Sequence, residues 1–80
     1  MIYMELDPKY QDLRVLFEKA ISSKKKTDFL DSYIKFFEKL TEFYEWAKKL
    51  GIDEEKVFTY FPDVKYMVNT VENKYREIIR

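Results

Sequence analysis

Between Asp28 and Leu50 the apolar positions repeat with the period of an α-helix. Phe29, Tyr33, Phe36, Leu40, Phe43, Ala47 and Leu50 form one stripe with alternating spacings of four and three. Leu30, Phe37 and Tyr44 repeat the rhythm one residue later, and Trp46 and Ile34 flank the stripe on its two sides. At about 100° per residue, the arc from Trp46 round to Ile34 covers roughly 240°, whereas a helix on the surface of a globular domain needs little more than about 100°. This segment predicts a helix with neighbours on at least two sides.

The rest of the chain also reads as helix. Asp7-Pro8 opens the first, with Asp at the N-cap and Pro at the first helical position. Tyr10, Leu13, Phe17 and Ala20 form its buried stripe, widened by Leu16 and Ile21, and it fades at Ser22-Ser23. Thr27 is the expected N-cap of the second helix, and Asp28 places an acid in its first turn. Leu50-Gly51-Ile52 is a stop signal: a left-handed Gly followed by an apolar residue that packs back. Asp53 then caps a short helix that Pro62 ends, because proline disfavours helical geometry at Phe61. Val64, Val68, Val71, Tyr75 and Ile78 mark the last helix, with Met67 and Ile79 beside them. Lys74, Arg76 and Arg80 suit the negative end of its dipole. The expected fold is all-α, a small bundle forming a single domain over residues 1–80. Its main helices lie at about 8–22, 28–50 and 63–80, with a short one at about 54–61. Met1 to Leu6 is expected to lie as an extended arm over the core or a partner.

Composition sharpens the picture at three points. First, 80 residues without Cys or His leave neither disulfides nor a zinc ligand set to reinforce a small core, so packing or oligomerisation carries the stability. Second, 7 Tyr, 7 Phe and 1 Trp exceed what such a core needs, and Tyr and Trp suit protein interfaces. Third, 15 basic and 15 acidic residues cancel, which opposes a dedicated nucleic-acid binder. Amides are confined to Gln11, Asn69 and Asn73 among many Lys and Glu, a thermophile-like composition. No signal peptide or membrane span is read, so a cytoplasmic location is expected.

The segment from Trp46 to Tyr60 carries the chain's most specific motif. Ala47 is followed four positions on by Gly51, then by apolar Ile52, with Val57 six positions past the glycine. Trp46, Leu50 and Tyr60 fill the supporting apolar positions. This pattern resembles the helix-turn-helix of DNA-binding regulators over about a fifth of the chain. The resemblance implies a recognition helix after Gly51, but that helix would offer Asp53, Glu54, Glu55, Phe58 and Thr59 to the groove, with no Arg, Asn or Gln to read bases. The same spacing describes a tight structural corner.

Lys24, Lys25 and Lys26 precede a helix N-terminus and form a candidate anion or nucleic-acid contact, or a solvated loop whose lysines suit the end of the first helix. Glu42 and Glu45 have the local spacing of bundle metal ligands but lie, with Glu38, opposite the apolar stripe, as a solvated acidic face does. Nucleophilic catalysis lacks its thiol and its imidazole base. The leading expectation is therefore a non-catalytic protein-interaction module without a cofactor, either a homodimer or a small accessory subunit. Ile34, Phe37, Phe43, Tyr44 and Trp46 are its expected interface residues. Its partner is itself or another protein; any nucleic-acid binding is weak, and no membrane is involved. The alternative is a small helix-turn-helix-like nucleic-acid-associated regulator, and a metal-dependent hydrolase is a remote third.

Overall fold

In a computed structural model, which describes residues 7–79, four helices follow one another: α1 (Asp7–Ser22), α2 (Lys26–Lys49), α3 (Glu54–Tyr60) and α4 (Pro62–Ile79). The three long helices and the short one fall where the periodicity placed them. The expected N-terminal arm, Met1 to Leu6, lies outside the described residues, as does Arg80.

The boundaries follow from local chemistry. Thr27 is not the cap of α2. The N-cap is Lys25, whose side chain makes no capping bond, and the Phe29 amide donates to the Lys25 carbonyl at 3.0 Å to close the first turn. The exposed loop lets water serve the remaining amides, so the helix extends upstream of the polar cap. At the other end Gly51 has φ +81°, and its amide donates to the Lys48 carbonyl at 3.0 Å while the Ile52 amide donates to that of Ala47 at 2.9 Å. These two bonds define a Schellman motif, and Ile52 is buried behind them. Asp53 caps α3 by accepting from the Lys56 amide at 3.0 Å. Phe61 is non-helical (φ −130°, ψ 71°), and α4 starts at Pro62 itself, where a missing N–H costs nothing.

Gly51 leads to the first test. A Cβ there would meet no atom within 4 Å, so only backbone strain opposes it. That strain is about 1 kcal/mol or more. Gly51→Ala should lower the thermal midpoint by roughly 4–8 °C, measured by circular dichroism. An unchanged midpoint would remove the left-handed cap from the account.

Helices α1 and α4 run parallel, and α2 runs antiparallel to both. Tyr10 donates to Asp63 Oδ2 at 2.9 Å, near the start of α1 and α4. Lys74 reaches the carbonyls of Ala20 and Ile21 at the far end of α1. On α2, Phe43 meets Phe61 and Tyr33 meets Tyr75, which fixes the antiparallel register with α4. The core is shared by all four helices: Leu13 and Ala20 from α1, Phe29, Phe36, Leu40, Phe43 and Ala47 from α2, Val57 from α3, and Val64, Met67 and Val71 from α4. The α3 corner lets the chain reverse after α2, so that α4 can lie along it.

Candidate functional site

The apolar arc of α2 divides into two stripes. The inner one, Phe29, Phe36, Leu40, Phe43 and Ala47, is buried within the chain. The outer one runs Leu30, Ile34, Phe37, Thr41, Tyr44 with the same four–three spacing. Leu30, Phe37 and Tyr44 are half-buried, whereas Ile34 is 59% exposed. Helix α4 presents a matching edge through Val68, Glu72, Tyr75 and Ile79, again at helical spacing. Ile79 is 49% exposed. The two edges meet where Tyr33 stacks on Tyr75, with ring centroids 4.5 Å apart and planes 18° from parallel. Together they form a seam whose floor is aromatic and whose rims hold two exposed isoleucines.

The expected interface residues do not all belong to this seam. Ile34, Phe37 and Tyr44 share the outer stripe. Phe43 belongs to the core instead: it is 0% exposed and packs edge-on against Phe61 at 5.4 Å, so nothing outside the chain touches it without unfolding. Trp46 lies on the other flank of α2, about 120° round the helix from Ile34. There the Lys9 and Lys49 ammonium groups sit 4.7 and 5.0 Å from its ring centroid. These contacts, one of them from α1, flank the indole, which stays 37% exposed on a side of α2 separate from the seam.

The remaining candidates are exposed and dispersed. Lys24, Lys25 and Lys26 project into solvent, and none forms an ion pair among the described residues. They do not serve the end of α1. That role falls to Lys74, whose ammonium donates to the carbonyls of Ala20 and Ile21 at 2.8 Å and of Ser23 at 3.0 Å. It also stands 5.2 Å from the Phe29 ring centroid. The local rule assigned Lys74 to its own helix, and only the parallel packing of α1 and α4 reveals the contact. Glu38, Glu42 and Glu45 are exposed, and Glu42 pairs with Lys39 at 3.5 Å. Among the described residues no group of three acidic or sulfur- or imidazole-bearing side chains is placed to hold a metal ion.

The corner resembling a helix-turn-helix is realised as geometry, with Ala47, Ile52 and Val57 buried at its inside. Its outer surface is acidic. Glu45, Asp53, Glu54 and Glu55, with Lys48 and Tyr44, line an open groove of about 700 Å³ between α2 and α3. A phosphate backbone approaching α3 would meet these carboxylates, and α3 has only 7 residues to enter a groove.

Two tyrosines beside the seam hold their protons more tightly than usual. Burial raises the Tyr44 phenol, and Glu54 adds to the effect. Tyr33 is raised by burial, then by Glu72 and Tyr75, with Arg76 opposing. A folded-state pKa above the unfolded value gives stability that is complete below about pH 10, the ordinary tyrosine value, and is lost as pH rises through the folded value. Tyr44→Phe should therefore flatten the fall of the urea midpoint above about pH 10 relative to wild type, while leaving its slope near neutral pH unchanged. Parallel alkaline profiles for the two proteins would contradict this environment for Tyr44.

No described helix is long and apolar enough to cross a membrane. No family model matches the chain, and neither a curated protein nor a solved structure shows significant similarity to it.

Proposed function

We propose that this protein is a non-catalytic interaction module that docks onto a protein surface through the α2–α4 seam. One observation carries the reading: the outer stripe of α2 continues the apolar pattern of the core yet leaves Ile34 59% exposed, on the same face as the α4 edge that leaves Ile79 49% exposed. Contiguous apolar side chains rimmed by polar ones mark interaction sites, whereas scattered surface hydrophobics do not. The aromatic floor, where Phe37 tilts against the Tyr33–Tyr75 stack, suits a protein partner, since aromatic side chains concentrate in interface centres. The reading as a binder also fits a sequence with neither Cys nor His. It extends to a homodimer or to an accessory subunit of a larger assembly.

The test places a photoreactive residue at position 34, with position 15 as control. Val15 is 52% exposed on α1, away from the seam. Irradiation in the cells that make the protein should give a discrete adduct from position 34 and none from position 15. Val68→Glu, which puts a charge on the opposite edge, should remove the adduct. The same diffuse products from both positions, or none from either, would overturn the reading.

A further inference from the structure

The borders of the seam differ in charge, and that difference points to what covers it. Resting on the docking face described above, we infer that its occupant is a second copy of this chain, paired about a twofold axis parallel to the helices. Beyond Ile34, the outer border of α2 carries Asp31, Glu38 and Glu45, all exposed. Beyond Val68 and Ile79, the outer border of α4 carries Lys65, Asn69 and Arg76, all exposed, together with the half-buried Glu72, which leaves it net basic. Part of this charge is met within the chain: Asp31 pairs with Lys35 at 3.1 Å, and Arg76 with Glu72 at 3.8 Å. Glu38 and Lys65 form no ion pair among the described residues.

Two copies can meet face to face about a twofold axis in two ways. With the axis perpendicular to the helices, α2 lies on α2 of the other copy, and acidic border meets acidic border. With the axis parallel to them, each α2 lies antiparallel on the other copy's α4, and the acidic border meets the basic one. Like charges across an interface are costly, so the second arrangement is selected. The register set by the Tyr33–Tyr75 and Phe43–Phe61 contacts places Glu38 level with Lys65 and Asn69. Each Glu38 then faces the second copy's Lys65, twice over by symmetry.

Sedimentation equilibrium of the purified chain over a wide concentration range tests this. Wild type should sediment at twice its 9.9 kDa mass at high micromolar concentration. Glu38→Lys and Lys65→Glu should each weaken the dimer by about tenfold or more. An equimolar mixture of the two variants should recover most of the loss, because both symmetry-related contacts are then between opposite charges. Both positions are exposed, so circular dichroism should show each variant folded. A wild-type chain that stays monomeric overturns self-pairing. So does a dimer that ignores the single charge reversals, or a mixture that fails to recover. A monomer that still gives a discrete heterologous adduct at position 34 would overturn self-pairing alone and leave the docking face standing.

Discussion

Phe43→Ala should lower the thermal midpoint by more than about 12 °C and leave much of the chain unfolded at physiological temperature. The ring is fully buried in the middle of α2. It meets Phe61 edge-on at 5.4 Å, and Phe61 in turn tilts against Tyr10 at 5.2 Å. One ring thus ties α2 to the α3–α4 junction and, through it, to α1. Truncating a buried Phe costs about 3–5 kcal/mol, because lost transfer energy and a residual cavity add. A chain this size has roughly 4–12 kcal/mol in total, at about 0.05–0.15 kcal/mol per residue. The loss is therefore a large fraction of the whole. Ile34→Ala, on the same helix but exposed, should stay within about 0.5 kcal/mol of wild type. Urea titrations of the two variants followed by circular dichroism separate the roles. Near-equal midpoints would mean that Phe43 does not belong to the core.

Lys74→Met should cost about 2 kcal/mol and lower the midpoint by roughly 8–16 °C. The ammonium is held by three carbonyls at the end of α1, from Ala20, Ile21 and Ser23. These are groups that an α-helix leaves without an internal partner, at the negative end of its dipole. A hydrogen bond to a charged group is worth about 1.5–3 kcal/mol, more than a neutral one. Methionine keeps most of the side chain's length and its packing near Phe29, so the variant isolates the charge. Amide exchange should accelerate in the last turn of α1 and in the Ser23–Lys25 loop while that of α3 is unaffected. A variant as stable as wild type would reduce Lys74 to a solvated surface lysine.

The helices were legible because their signals are local. The four–three spacing, Gly51 before an apolar residue, Asp53 at a cap and Pro62 at a break each act within a few positions, and each is found in the structure. The surplus of α2 was legible as an arc, but its division was not. Phe37 and Phe43 are equally apolar in sequence. Which one faces inward depends on where α1 and α4 sit around α2, and that is set by contacts far along the chain. Trp46 illustrates the same limit, since one of the lysines over its ring comes from α1. Lys74 lies 54 positions from Ala20, and no helix-end rule applied to α4 alone finds that pairing. The opposite charge of the two seam borders likewise exists only once α2 and α4 lie side by side.

The seam as a docking face stands or falls on the solvent exposure of a few methyl groups. Relaxation enhancement by a soluble paramagnetic agent, read at each methyl by NMR, measures it directly. In dilute protein the Ile34 and Ile79 methyls should be strongly broadened, together with Val15, while Leu13, Val57 and Val71 stay protected. Once the seam is occupied, at high concentration or with a bound partner, Ile34 should become shielded and Val15 should not. An Ile34 methyl as protected as that of Leu40 in the dilute chain, or one still fully broadened with the partner bound, would contradict the account.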